Sequence, residues 1–225
     1  TFIADLAGGF DAYLMRLSRN TLNQARRLLR DAHDAGLQLQ FASDSATIDQ
    51  YMDQLVALHQ QRWTAAGKPG CFSAPRFEQF HRTLAHHWLH RDQAVLARLV
   101  QGEQTLAVIL GYTVRDKFDY YVSGACRESV GGIKSPGTVA HLLLKSHLAS
   151  RGITRYDYLA GSERYKQQFS TTTANLVSLH AHRTTVRSLT HTLVSLARRA
   201  VRKIARQVGL RSDALVVLGG LEGAL

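Results

Sequence analysis

The chain has 225 residues, 45% of them hydrophobic, and a formal charge of +11. That is enough apolar material for one well-buried domain with appendages, which sets aside a disordered polyelectrolyte. No run approaches the roughly 18 uninterrupted apolar residues of a membrane-spanning helix. The two cysteines, Cys71 and Cys126, supply neither a disulfide framework nor a zinc site, so the expected setting is a reducing cytoplasm.

The charge is uneven. Eight of the 28 basic residues but only two of the 17 acidic ones lie beyond residue 182, so the first 182 residues carry only +5 of the +11. A nucleic-acid reading of the whole chain loses its basis, because the excess belongs to the tail.

Taken in chain order, residues 1–36 read as an N-terminal helical segment. Phe10, Tyr13, Leu14 and Leu17 fall at helical spacing, and residues 21–33 continue with Arg26, Arg27 and Arg30 on one side. Residues 37–41 (LQLQF) alternate like a half-buried strand. Thr47 and Gln50 suggest a capping box opening a helix toward Trp63. A second helix is expected after Ser73, with Pro75 in its first turn. Residues 94–100, 105–114 and 118–123 form an antiparallel meander on short turns. A glycine-rich link then leads to Ser135-Pro136-Gly137 and a helix to about residue 150. A strand over 155–159 follows, parallel to 118–123 because a helical crossover joins them. A helical turn over 163–169 and a last strand over 174–182 complete a domain spanning 37–182. Residues 183–225 carry Leu189, Leu193, Leu196, Ala200, Ile204 and Val208 as one stripe with arginines opposite, an amphipathic basic helix.

Ser135, Gly137 and Thr138 at a helix start can offer backbone N–H groups to phosphate oxygens, with Lys134 adding a charge. The same residues also suit plain helix capping. His81, His86, His87 and His90 lie on one predicted helix, but no acid or cysteine completes a ligand set. They read as surface residues, and no metal is expected. No nucleophile elbow or P-loop occurs.

The strand order, an α/β (mixed α+β) arrangement of meander plus parallel pair flanked by helices, resembles the GNAT acyltransferase fold. Four local motifs narrow the resemblance: Leu58-His59 through Trp63 and Gly67 to Gly70-Cys71-Phe72; Tyr121-Val122-Ser123-Gly124; Ser135-Pro136-Gly137; and Tyr156-Asp157-Tyr158-Leu159 through Gly161 to Glu163 and Tyr165-Lys166. Together they are similar to the CelD-like acetyltransferase branch, relatives of the Fem aminoacyl transferases. One departure stands out: Ser-Pro-Gly replaces the usual pyrophosphate signature of Arg or Gln with two spaced glycines.

The resemblance implies direct transfer of an acyl group from acetyl-CoA or another acyl-CoA to an amine or hydroxyl, with no covalent enzyme intermediate and no metal. It implies a small-molecule or glycan-linked acceptor in bacterial polysaccharide or cell-envelope biosynthesis. Ser135, Gly137, Thr138 and Lys134 would hold the donor, with backbone from Val122, Ser123 and Gly124. Glu163, Lys166, Tyr121 and Tyr165 are the candidate catalytic groups, and Trp63 and Phe72 the acceptor wall. Two alternatives stay open: a Fem-like transferase fed by aminoacyl-tRNA, and a non-catalytic scaffold that binds polyanions. The basic tail fits tRNA, an anionic membrane surface at the inner membrane's edge, or packing on the domain. Since Fem relatives are tandem domains and this chain starts at Thr1, an N-terminal partner domain is expected outside it.

Overall fold

The computed structural model describes residues 1–126, 133–161 and 163–177. The basic segment 183–225 and residues 178–182 of the expected last strand lie outside the described residues.

The chain opens with strand β1 (Phe2–Asp5), helix α1 (Phe10–Met15) and helix α2 (Arg19–Asp34). Next come β2 (Leu37–Phe41), α3 (Ser45–Thr64), a 3-10 turn at Cys71–Ser73, α4 (Pro75–Trp88) and a second 3-10 turn at Leu89–Arg91. The meander is β3 (Ala94–Gln101), β4 (Gln104–Val114) and β5 (Lys117–Ala125). Helix α5 (Pro136–Ser150), β6 (Arg155–Asp157), α6 (Arg164–Gln168) and β7 (Thr172–Thr173) follow. The seven strands form one sheet in the order β2-β3-β4-β5-β6-β1-β7, in which β5 and β6 are the parallel pair and every other pairing is antiparallel.

Strand alternation builds the two faces. In β4, Ala107 and Ile109 join the core under α1, α2 and α5, while Val108 and Leu110 join the core under α3 and α4. All four are essentially inaccessible to solvent, which is why the strand reads as a continuous apolar run.

Three local differences from the sequence reading have clear causes. Phe2–Asp5 is a strand because it pairs on both sides, with β6 through Ile3 and Asp157 and with β7 through Phe2 and Thr173. Such distant partners leave no local signal. Among the described residues the last strand is the short Thr172–Thr173, where β1 receives it, and residues 174–177 of the expected strand are not part of one. The capping box of α3 is Asp44 with Thr47: the Asp44 carboxylate accepts from the Thr47 N–H at 2.8 Å, and the Thr47 hydroxyl accepts from the Asp44 N–H at 3.1 Å.

Helix α3 lies directly on β5 because Gly124 has no side chain. A Cβ there would come within 2.7 Å of the His59 nitrogen and 2.8 Å of the Leu55 carbonyl oxygen, both backbone atoms. Gly124→Ala is therefore expected to cost about 3 kcal/mol of stability, the upper part of the overpacking range, measured by urea unfolding.

Candidate active site

The parallel ladder between β5 and β6 is short. It ends at Asp119 opposite Asp157, yet β5 runs on to Ala125. From Tyr120 onward no strand among the described residues pairs with this edge of β5, and the sheet opens. The Asp157 carboxylate ends β6 by accepting from the Leu159 N–H at 2.8 Å and from the Thr1 hydroxyl. Leu159 is thereby held in the left-handed region (φ 53°), a conformation that costs a non-glycine residue roughly 1–2 kcal/mol. The chain then turns away from β5 toward Gly161 and α6.

β5 leads toward the start of α5. Ser135, also left-handed (φ 57°), precedes that helix, and its side chain makes no cap. The Ser135 carbonyl accepts from the N–H groups of Thr138 and Val139, at 2.9 and 3.2 Å. Pro136 has no N–H, so the Gly137 N–H is the donor that the first turn leaves without an intrahelical partner. Gly137 is close to β5: a Cβ would lie 3.3 Å from the Ala125 Cβ. A helix start with no side-chain cap among the described residues, beside an open strand edge, fits a phosphate-bearing donor.

Behind the opening, on the α5 side of the sheet, lies a buried polar and aromatic cluster. The Tyr120 and Ser123 hydroxyls are 2.7 Å apart, and the Tyr165 hydroxyl donates to Tyr120 at 3.4 Å. Tyr165 stacks on His141 with ring centroids 5.3 Å apart, and His141 Nδ1 is 2.6 Å from the Tyr156 hydroxyl. Burial pushes the Tyr120 and Tyr165 phenols up and holds the His141 imidazole well below its ordinary value. At neutral pH the phenols are therefore donors, and His141 is a neutral ring rather than a cation.

Lys166 is buried in this cluster. Its Nζ donates to the Ala160 carbonyl at 2.8 Å, pairs with Glu163 Oε2 at 3.1 Å and lies 5.4 Å from the centre of the Tyr120 ring. Glu163, the N-cap residue of α6, keeps its side chain partly exposed. A carboxylate with one oxygen on a buried ammonium and a partly wet head is placed to exchange protons with solvent.

The structure thus gathers Glu163, Lys166, Tyr165 and Ser123 at the opening, with Ser135, Gly137 and Thr138 at its helix start. Lys134, next to Ser135, is exposed. It does not bring Tyr121 to them. Val122 pairs with Leu110 and Tyr120 with Gly111, which leaves Tyr121 as the unopposed residue of a β-bulge. Its ring points to the α3 and α4 side, 4.4 Å from His81 and 6.2 Å from Phe77. Val122 packs in that same core, and Gly124 faces α3, so these two can serve the opening only through backbone.

Trp63 and Phe72 also belong to the α3 and α4 side, both against His59, and an aromatic row continues through Phe77, His81, Tyr121 and Tyr112. His81 is no surface histidine. It is 1% exposed, its Nδ1 is 2.6 Å from the Tyr112 hydroxyl, and its Nε2 has no partner among the described residues. Cys71 Sγ lies 3.4 Å from His59 Nε2 in the geometry of a nucleophile pair, but burial raises the thiol and lowers the imidazole. Both partners stay neutral, which argues against a thiolate intermediate. No group of three His, Cys, Asp or Glu among the described residues is arranged to hold a metal.

Sequence reasoning passed over Tyr120, His141 and Lys145, and gave Tyr158 no role beyond its place in a motif. The signal was present in His141-Leu-Leu-Leu-Lys145, where polar residues at i and i+4 share one face of an otherwise apolar helix.

An opened parallel pair, followed by a bare helix start, defines an acyltransferase-type scaffold. The profile of the acetyltransferase (GNAT) domain matches residues 16–167, and the chain belongs to that family, whose domains serve acyl transfer. Two solved structures are similar to the chain at low identity. One is the C-terminal domain (DUF2156) of a proposed lysylphosphatidylglycerol synthetase from Agrobacterium fabrum, with TM-score 0.44, 12% identity, 69% of this chain and 44% of that one. The other is a conserved protein of unknown function from Bacteroides thetaiotaomicron VPI-5482, with TM-score 0.50, 13% identity, 75% of this chain and 54% of that one. The chain therefore spans about half the length of these structures. No curated protein matches it in sequence. Among the described residues, no helix is long and apolar enough to cross a membrane.

Proposed function

We propose that this chain is an acyl-CoA-dependent acyltransferase that acylates an amine or hydroxyl on a small or glycan-linked acceptor of bacterial envelope or polysaccharide synthesis. The observation that carries the reading is the end of the β5/β6 ladder at Asp119 and Asp157, beside the uncapped N-terminus of α5. Gly137, Ser135 and Thr138 would hold the donor pyrophosphate, and Lys134 would add charge. When bound, the donor supplies a thioester carbonyl activated toward attack by an amine or hydroxyl.

The residues of the opening divide the remaining work. Backbone of residues 122–124 on the edge of β5 away from β4, with the protonated phenols of Tyr120 and Tyr165, offers donors for charge developing on a carbonyl oxygen. Glu163 accepts the proton that the acceptor loses, and Lys166 holds the Glu163 carboxylate in place. Trp63 and Phe72 lie on the α3 and α4 side of the sheet, apart from these groups, and the part assigned to them is to bind the acceptor from that side.

Calorimetry with acetyl-CoA tests the reading. Micromolar binding is expected, and the absence of binding at millimolar ligand would remove it. Salt-sensitive tRNA binding without acetyl-CoA binding would favour an aminoacyl-tRNA donor instead. Glu163→Gln should lower the acyl-transfer rate by about 10²-fold while leaving donor affinity near that of wild type, read as free thiol released against calorimetric affinity.

A further inference from the structure

We infer a second ligand site at the opposite end of α5, built for a small carboxylate with an apolar body. A cavity of about 570 Å³ lies there, within the size range of small-molecule sites. Its origin is a mismatch of strand lengths. β2 ends at Phe41 opposite Ala97, but β3 begins at Ala94, so the first residues of β3 run beyond the last rung. Only the Ala42 N–H, donating to the Leu96 carbonyl at 2.9 Å, follows β3 along that edge. The last turn of α5 and the 3-10 turn after α4 close the gap.

Phe41, Leu148 and Ile153 give the cavity apolar walls, and the Phe41 ring lies 4.2 Å from that of His147. Arg115 and Arg151 stand among its lining residues, where Asp92 is the only acid. Asp92 is already engaged by Arg151 at 3.0 Å, and Arg115 makes no ion pair among the described residues. The fixed charges of the lining, Arg115 and Arg151 against Asp92, leave one cation in excess, beside the imidazoles of His90 and His147. One cation in excess, the exposed Arg115 with Asp116 next to it in sequence, at the rim of an apolar wall selects a monoanion with a hydrocarbon or aromatic body; a phosphate ester would find too little charge and too much apolar surface.

The site is separate from the proposed donor site. The 15 residues of α5 span about 22 Å at 1.5 Å per residue, with Gly137 at one end and His147 and Leu148 toward the other.

The test is calorimetry with sodium octanoate, with 1-octanol and acetate as controls. Octanoate should bind one to one, and both controls should bind at least about tenfold more weakly. Arg115→Asn removes the charge while keeping a residue that tolerates the left-handed backbone (φ 57°), and it should weaken octanoate about tenfold. Ile153→Trp should fill the cavity and abolish binding. Gly137→Glu should leave octanoate affinity unchanged. Absence of octanoate binding, equal binding of octanol, indifference to both Arg115→Asn and Ile153→Trp, or loss on Gly137→Glu would each overturn the assignment.

Discussion

Gly137→Glu is expected to weaken acetyl-CoA binding by roughly two orders of magnitude, the worth of about two charge-assisted hydrogen bonds, without weakening the fold. The two halves of this expectation have different causes. Gly137 is in the first turn of α5 with an ordinary helical backbone, and that turn carries no acidic residue. Glutamate there has better helix propensity than glycine and complements the helix dipole. Among the described residues its Cβ meets only the Ala125 Cβ, at 3.3 Å, a contact that asks for a shift of a few tenths of an ångström. For a phosphate the same carboxylate is a like charge on the one donor that the turn leaves open. Thermal unfolding should therefore show an unchanged or slightly higher Tm while calorimetry shows lost affinity. Undiminished binding would place the donor phosphates away from α5.

The second large effect concerns Lys145, which has no solvent exposure. The rings of Tyr13, Tyr156, Tyr158 and Phe169 surround its amine at 4.9 to 5.7 Å. Its Nζ contacts the Tyr13 hydroxyl at 3.1 Å and also the Tyr158 hydroxyl, and no carboxylate bridges to it among the described residues. Burial holds the amine well below the ordinary lysine value. Because the unfolded chain binds this proton more tightly, stability is fully present above the ordinary lysine range and is lost as pH falls toward the folded-state value.

Lys145→Met removes that dependence but strands the Tyr158 hydroxyl, so the informative variant is the double change Lys145→Met with Tyr158→Phe. Tyr13 keeps its bond to the Phe169 carbonyl at 2.9 Å. The double variant should melt several degrees higher at neutral pH and lose the rise in stability toward alkaline pH. Chemical unfolding between neutral and alkaline pH checks this, and an unaltered slope would mean that the amine is charged in the folded protein.

Much of the scaffold was legible because it is periodic or punctuated. The alternation of β3 and β4, the turns between them, Pro75 opening α4 and the crossover that makes β5 and β6 parallel all leave local marks in the chain. What was not legible depends on partners distant in sequence. β1 is a strand only because residues beyond 150 receive it on both sides. Tyr121 changes its expected company because a single bulge re-aims it, and nothing in Tyr-Tyr-Val-Ser-Gly announces that bulge. His81 reads as a surface residue until Tyr112 is seen beside it. The site divides in the same way: Ser135-Pro136-Gly137 and Tyr165-Lys166 stand out as motifs, whereas Tyr120, His141 and Tyr158 acquire meaning only where the sheet opens.

The pairing of β1 between β6 and β7 also sets an order of events during synthesis. Within these 225 residues β1 is the earliest strand synthesised, and it pairs with Arg155, Tyr156, Asp157, Thr172 and Thr173, 150 or more residues later. Contacts of that separation form late and slowly. Until then the strand Phe2–Asp5 has two unpaired edges, and the meander β3-β4-β5 with α3 and α4 can assemble before it. The opening described above is therefore finished late, when β1 meets β6 and β7, and a nascent chain interrupted before residue 155 would carry α1 to α5 and the meander but no donor cleft.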